Sequence, residues 1–442
     1  ENNLLKYFLN GGQVFKAVQS DIISNENKKS IENLKYDFDY IYTKLTKQNI
    51  DVENIKHQIK NFQLALPTWG VGTGGTRFAR FPGIGEPQNI FEKIEDCAVI
   101  NDLVGITQKV SPHFPWDKVS DYKELKEFAD SFGIGFDAIN SNTFQDYGSS
   151  EISFKYGSLT NSQLSVREKA IQVNIDSINA GKILGSKGLT VWIGDGGNFP
   201  GQINFSNSLD RYIESMKIIY LSLPDDWVIY LEHKPYEPAF YSTVISDWGT
   251  SYVCANELGQ KAKCLVDLGH HLPNTNIEMV VSRLIDKNKL GGFHFNDSKF
   301  GDDDLDSGSI NPYELFLIFN ELTSASIKGK LNNIAYMIDQ SHNITDPIES
   351  LILSANEILF NYVKSLLVNY EELEYYQNKN DPIKCMQILK NAFKTDVTSL
   401  IGMVRYEQSN AIDPISVYRT LNYKLNKSKI RKTSQGNSSG IV

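Results

Sequence analysis

No apolar run in this chain approaches the roughly 20 residues that a bilayer-spanning helix needs. Membrane insertion is therefore not expected. Cysteine is scarce: Cys97, Cys254, Cys264 and Cys385 show no CxxC spacing, which points to reduced, mostly buried thiols instead of a disulfide framework. Basic charge is also short. With a net charge of −9 the chain lacks the basic surface that neutralises phosphates, so nucleic acid is not an expected partner. The opening Glu1-Asn2-Asn3-Leu4 has no basic region followed by an apolar stretch, so no signal peptide is expected.

What the chain does have is regular alternation. Its 442 residues are 41% hydrophobic, enough for one large α/β domain with extensions or for two to three smaller domains. Strand-like runs fall at Leu64–Gly70, Lys109–Pro115, Phe136–Asn140, Leu189–Gly194, Trp227–Lys234, Lys263–Leu268, Leu290–Asn296 and Ile334–Gln340. Helical periodicities follow each of them, at Ile90–Leu103, Tyr122–Phe132, Val166–Leu184, Leu209–Leu221, Trp248–Leu258, Ile277–Asp286, Pro312–Leu322 and Pro347–Leu367. Eight strand-then-helix units in succession predict an α/β fold, a (β/α)8 TIM barrel, over residues 63–368. Residues 1–62 and 369–442 read as helical N- and C-terminal extensions, with apolar positions near Ile31, Leu34, Phe38, Ile41 and Leu45 in the first. The end, from about Ser428 to Gly440, is basic and then Ser/Gly-rich, and reads as disordered. The Gly70-x-Gly72-x-x-Gly75 spacing is followed by Thr76-Arg77-Phe78-Ala79-Arg80-Phe81-Pro82-Gly83, which cannot open a helix on a pyrophosphate, so it reads as a loop.

Chemistry-bearing residues gather at the ends of these strands. Along Val228-Ile229-Tyr230-Leu231-Glu232-His233-Lys234, alternation sends Glu232 and Lys234 one way and His233 the other. The next strand ends Asp267-Leu268-Gly269-His270-His271, and the one after it carries His294 between Phe293 and Phe295. The loop Gly301-Asp302-Asp303-Asp304 puts Asp302 and Asp304 on one side, and Asp339 and Ser341 share a face on the last strand. Five carboxylates gathered at one barrel mouth, with two imidazoles among them, would repel one another without counter-charge. Two divalent metal ions resolve the conflict if Asp267 bridges. One site would then be Glu232, Asp267, His294 and Asp339, the other Asp267, His270, Asp302 and Asp304. This mixed donor set favours Mn²⁺, Co²⁺ or Zn²⁺, with Mg²⁺ allowed. His113, on the same rim, suits proton transfer near neutral pH. Trp69 and Trp192 could wall a small substrate or serve as core.

The stretches Gly70-Val71-Gly72-Thr73-Gly74-Gly75-Thr76-Arg77-Phe78, Trp192-Ile193-Gly194-Asp195-Gly196, Glu232-His233-Lys234, Asp267 to Asn276, and His294-Phe295-Asn296-Asp297-Ser298-Lys299 resemble the broad-specificity branch of bacterial L-rhamnose isomerases, within the xylose-isomerase-like barrels. The resemblance covers residues 63–368. It implies a cytoplasmic, homotetrameric, metal-dependent aldose–ketose isomerase acting on L-rhamnose and related aldoses such as D-allose, L-mannose and L-lyxose. It also implies a structural site (Glu232, Asp267, His294, Asp339), a catalytic site (Asp267, His270, Asp302, Asp304), Lys234 at the substrate oxygen, His113 in ring opening, and Phe78 reaching a neighbouring subunit's pocket. A hydride shift between carbons 1 and 2 is the implied chemistry, and an enediol route with Glu232 or Asp339 as base is its competitor. Three rivals stand beside it. A single-metal sugar 3-epimerase would want a second glutamate where Asp339 stands. An abasic-site endonuclease would want Asp-x-His in the loop and a basic surface. A non-catalytic scaffold would be expected to have lost ligands.

Overall fold

The computed structural model describes residues 14–72, 83–146, 151–236, 242–340 and 344–432. Its strands are β1 (Ala65–Pro67), β2 in two pieces (Lys109–Ser111 and His113–Phe114), β3 in two pieces (Gly135–Phe136 and Ile139–Ser141), β4 (Gly188–Val191), β5 (Val228–Glu232), β6 (Ala262–Asp267), β7 (Leu290–Phe295) and β8 (Ala335–Ile338). Every neighbouring pair is parallel, and β8 pairs back onto β1 through Ala65 and Met337. With β2 and β3 each counted as one broken strand, the sheet closes into the eight-stranded barrel that the alternation predicts.

Most strands end short of their sequence runs, and in two of them proline accounts for the difference. Pro67 and Pro112 cannot donate to a ladder. After Pro67 the chain turns into a single 3-10 turn, Thr68–Val71, and at Pro112 β2 breaks into its two pieces. The other strands read as nearly unbroken apolar runs because parallel strands here are covered on both faces. Seven of the eight barrel helices begin at an Asn or Asp whose side chain accepts a first-turn N–H: Asn89, Asp121, Asn204, Asp247, Asn276, Asn311 and Asp346. Inside the barrel the ring of Tyr230 fills space that a side chain at Gly188 or Gly291 would occupy, since a Cβ at either would lie 2.7 Å from that ring.

Both extensions are helical. Ser20–Asn27, Ile31–Lys47 and Val52–Asn61 precede the barrel, and Tyr370–Asn378, Pro382–Phe393, Thr398–Glu407, Pro414–Leu421 and Tyr423–Lys427 follow it. Ile31, Leu34, Ile41 and Leu45 are buried and Phe38 half-buried. The extensions meet on the barrel helix Ile90–Val104. The Asp102 carboxylate accepts from the Val18 N–H and the Lys16 ammonium, and the Asp102 carbonyl accepts from Asn410. Among the described residues no single helix is long and apolar enough to cross a membrane.

The C-terminal expectation needs correcting at its start. Arg431 does not belong to a solvated tail. Its buried guanidinium holds Asp96 at 2.7 Å and Glu95 at 3.1 Å and donates to the carbonyl of Gly85. The anion at Asp96, itself fully buried, selects the arginine, and composition alone did not reveal it. Residues 433–442 lie outside the described residues.

Removing one partner of a buried ion pair leaves the other charged and desolvated. Arg431→Ala should therefore destabilise the protein by about 3–5 kcal/mol, read as a lower urea midpoint at unchanged slope. A midpoint equal to wild type would mean that Asp96 does not depend on this arginine.

Candidate functional site

The C-terminal mouth of the barrel gathers most of the acidic and imidazole side chains singled out from the sequence. Register does the first part. Asp267 on β6 lies beside His294 on β7, and Glu232 on β5 pairs with Leu265, two residues before Asp267. The Asp339 N–H bonds the Phe295 carbonyl, which brings the end of β8 alongside. His294 Nδ1 then lies 3.1 Å from Glu232, 3.4 Å from Asp339 and 3.8 Å from Asp267. His270, on the turn after β6, lies 3.2 Å from Glu232, 3.9 Å from Asp267 and 3.5 Å from Asp302.

Two groups able to hold a metal ion result, and each has its ligand atoms within 4.8 Å of one another: Glu232, Asp267, His294 and Asp339, and Asp267, His270 and Asp302. Asp267 belongs to both. Asp304 does not join them; it occupies the loop in a left-handed conformation, φ +49°. Two-residue spacing in a loop does not disclose such a backbone conformation. Ser341 and Phe78 lie outside the described residues.

The metal fit can be tested on the donors themselves. Asp267 Oδ1 accepts from the Gly269 N–H at 2.8 Å and from Asn296 at 2.9 Å, while its fully buried Oδ2 accepts no hydrogen bond among the described residues. A buried carboxylate oxygen left that way is costly unless a cation meets it. The protonation pattern agrees. Burial, then the anions Asp339, Glu232 and Asp302, push the Asp267 carboxyl up to about 7 against the pull of His270. Burial opposes charging His294, yet Glu232 and Asp339 raise it to about 10. His270 is likewise raised against burial by Asp267 and Asp302. Glu232 stays below the usual carboxylate range because His294 and His270 outweigh its burial. Protons thus take the place of positive charge in the cup. The residues present fit divalent cations.

Around this charged half stands an aromatic one. Trp69 donates its indole N–H to Asp339 at 3.0 Å. His113 stacks on Trp116, ring centroids 3.9 Å apart, and meets Trp69 and Phe144 edge-on. Phe144 contacts Trp192 at 4.5 Å, and the Lys234 ammonium lies over the Trp192 ring while pairing with Asp302. Trp116 and Phe144 were missed. Trp116 could have been found from His113-Phe114-Pro115-Trp116; Phe144, in a loop of mixed composition, carried no signal. Asp117 was missed too: fully buried, it accepts from the His113 N–H at 2.8 Å, Lys93 at 2.7 Å and Thr68 at 2.5 Å, and so fixes the backbone on which His113 stands. Burial drives His113 down to about 4, against the pull of Asp117, so it is neutral at pH 7. His233 points away from the mouth, as alternation requires, and meets His271 at 4.9 Å.

A closed parallel barrel with a buried imidazole–carboxylate cup at its C-terminal mouth is the frame of a barrel enzyme that works on a small molecule. Comparison with known proteins narrows the class. No family model matches the chain. A probable sugar isomerase of Mesorhizobium japonicum is 52% identical over 426 residues, covering 96% of this chain and 99% of that protein, and one of Rhizobium meliloti is 51% identical over the same span. The chain belongs to the family of these sugar isomerases. Among solved structures, the Escherichia coli 3-keto-D-glucoside 4-epimerase matches at TM-score 0.48 and 14% identity, covering 67% of this chain and 99% of its own. An L-ribulose 3-epimerase matches at 0.49 and 11%, covering 73% and 98%.

Cations entering the cup must displace the protons held there. Uptake of Mn²⁺ or Co²⁺ should release protons, more of them at pH 6 than at pH 8, with affinity falling as pH drops through about 7, where Asp267 titrates. Calorimetry in buffers of differing ionisation heat reads this. Asp267→Asn should weaken binding at both groups; two-ion occupancy at wild-type affinity in that variant would overturn the bridging role.

Proposed function

We propose that the protein interconverts an aldose and its ketose, with L-rhamnose and L-rhamnulose the first pair and D-allose, L-mannose and L-lyxose related substrates. The observation that carries this reading is Asp267 shared between two donor groups, with a lysine and an aromatic wall beside them. The proposal places Glu232, Asp267, His294 and Asp339 around one divalent ion and Asp267, His270 and Asp302 around the other, with Asp304 a further donor if its loop turns inward. When bound, such ions polarise a carbonyl and fix neighbouring oxygens. Membership of the sugar isomerase family supports the reading, as does the orphaned Asp267 oxygen. Homotetramer assembly and a cytoplasmic setting belong to the same proposal.

The chain's own groups would divide the work. His113 is neutral at pH 7, and its Nδ1 takes no hydrogen bond among the described residues. It can therefore take the proton of the anomeric hydroxyl and return one to the ring oxygen, which opens the sugar. Isomerisation then moves hydrogen with its electron pair from carbon 2 to carbon 1 and a proton from oxygen 2 to oxygen 1, so atoms and charge balance. The Lys234 ammonium steadies the negative charge that builds on oxygen. Trp69, Trp116, Phe144 and Trp192 would cover the carbon-bound hydrogens and exclude water. In the competing enediol route Glu232 or Asp339 removes the carbon-2 proton; their tie to His294 in one donor group favours holding an ion over free proton exchange.

Ketose formation from L-rhamnose should vanish on chelation and return with Mn²⁺ or Co²⁺. A product epimerised at carbon 3, or a fully metal-loaded but inert protein, would overturn the proposal. Turnover in deuterated water should leave carbon-bound deuterium near background; substantial incorporation would rule out a pure hydride shift. His113→Asn should keep metal content and lower kcat by about 10²-fold, and less for a sugar supplied in open-chain form.

A further inference from the structure

The quoted motif Trp192-Ile193-Gly194-Asp195-Gly196 contains a carboxylate that the proposed chemistry does not use. Asp195 is 3% exposed, in the apolar rim just beyond β4. Its two oxygens accept four hydrogen bonds: from the Ser158 N–H (2.6 Å), the Ser158 hydroxyl (2.8 Å), the Thr160 N–H (3.0 Å) and the Thr160 hydroxyl (2.7 Å). All four donors are neutral, and all come from the loop after β3. Ser158 in turn accepts from Thr143, the residue next to Phe144, at 2.9 Å. The Asp195 carbonyl accepts from the Val244 N–H at 2.9 Å, and the adjacent Ile245 carbonyl accepts from the Lys234 N–H at 2.9 Å. Gly196 and Gly197 continue the junction, pairing antiparallel with Thr243 and Ser242.

We propose that Asp195 is a positioning residue for the substrate wall: its carboxylate and carbonyl join the loops after β3, β4 and β5 into one unit and thereby set the corner formed by Phe144, Trp192 and Lys234. The proposal deepens the sugar reading and rests on it for the word substrate. A carboxylate suits this donor set: Oδ2 accepts three of the four bonds and Oδ1 the fourth, from the Ser158 hydroxyl. An amide that keeps its oxygen at the Oδ2 position is neutral and turns its NH2 toward the Ser158 hydroxyl, which thereby loses its acceptor while still receiving the Thr143 hydroxyl. Such a mismatch inside a buried rim weakens the tie between loops that carry the wall. Asp195 has no place in either donor group, so its loss should spare ion binding and act on how the sugar is held.

The experiment pairs Asp195→Asn with the double variant Ser158→Ala, Thr160→Val, which removes the two hydroxyl donors and leaves the carboxylate. Both are assayed with L-rhamnose for kcat and KM, for Mn²⁺ content, and after 5-fluorotryptophan labelling for the ¹⁹F signal of Trp192, assigned through Trp192→Phe. We expect KM to rise about tenfold in Asp195→Asn, kcat to change less than threefold, two ions to remain, and the Trp192 signal to shift while those of Trp227 and Trp248 stay put. The double variant should move the same signal in the same direction. An unmoved Trp192 signal in either folded variant, or KM within twofold of wild type in Asp195→Asn, overturns the positioning role. If wild-type protein turns over no aldose while the Trp192 signal still responds, the sugar reading falls and the tie stands. If Asp195→Asn does not fold, the double variant alone decides.

Discussion

Like charges crowded into a dry cup set the terms for the rest of the molecule. Glu232, Asp267 and Asp302 are within a few ångströms of one another through shared imidazoles, with Asp339 at the edge. Carboxylates in that state must gain protons or cations, or else separate. The backbone prevents separation, since three of the four carboxylates are anchored at or beside the ends of parallel strands locked into a closed ring. Neighbouring donors therefore share the load. Gly269 N–H and Asn296 hold one Asp267 oxygen, the Trp69 indole holds Asp339, and the Lys234 ammonium holds Asp302. What remains is the Asp267 oxygen between the two groups, and the excess positive charge drawn onto His270 and His294. The arrangement is poised for dications because much of the positive charge in the cup is carried by protons on His270, His294 and Asp267, which an entering ion can displace.

The second constraint is water exclusion. A cluster this charged would be solvated if the mouth were open, yet its carboxylates and imidazoles are largely buried. Aromatic rings do that excluding, and they do it in a chain: Trp69 against His113, His113 on Trp116, Phe144 bridging to Trp192, and Trp192 under Lys234. The same burial that dries the cup keeps His113 neutral. Burial opposes the charged form of all three imidazoles; His270 and His294 hold their protons because carboxylates lie within hydrogen-bonding or ion-pair range of their rings, and among the described residues none pairs in that way with the His113 ring.

The parts of this fold that sequence discloses are those governed by period and alternation. Trp248–Leu258 and Ile277–Asp286 start and stop where periodicity places them. The opposite facings of Glu232 and His233 follow from strand geometry alone. Residues that depend on the shape of a loop were not disclosed. Asp304 reads as the twin of Asp302, yet Asp302 joins a donor group and Asp304, in a left-handed backbone conformation, does not. Phe144 becomes part of the wall through a loop that is tied to Asp195 by Thr143 and Ser158. Arg431 reads as one basic residue in a polar tail, and its partner Asp96 is more than three hundred positions away. Composition reports what a segment resembles, whereas burial of a single ion pair depends on which anion the fold leaves waiting.

Lys234 makes the two donor groups unequal. The group of Glu232, Asp267, His294 and Asp339 contains no cationic side chain other than its own imidazole, so its deficit of positive charge persists until an ion arrives. The group of Asp267, His270 and Asp302 already has an ammonium on Asp302. A dication entering that second group must compete with Lys234, and like charges at such short range repel strongly in a buried site. The ammonium, which already lies over the Trp192 ring, would then be pushed along its flexible stem away from Asp302, toward the space proposed for a sugar oxygen. On this argument, of the two ions proposed, the one in the first group would be the more tightly held. An ion in the second would couple its arrival to release of the lysine, so that the group proposed to steady charge on the substrate would be set free by the event that makes the site ready for it.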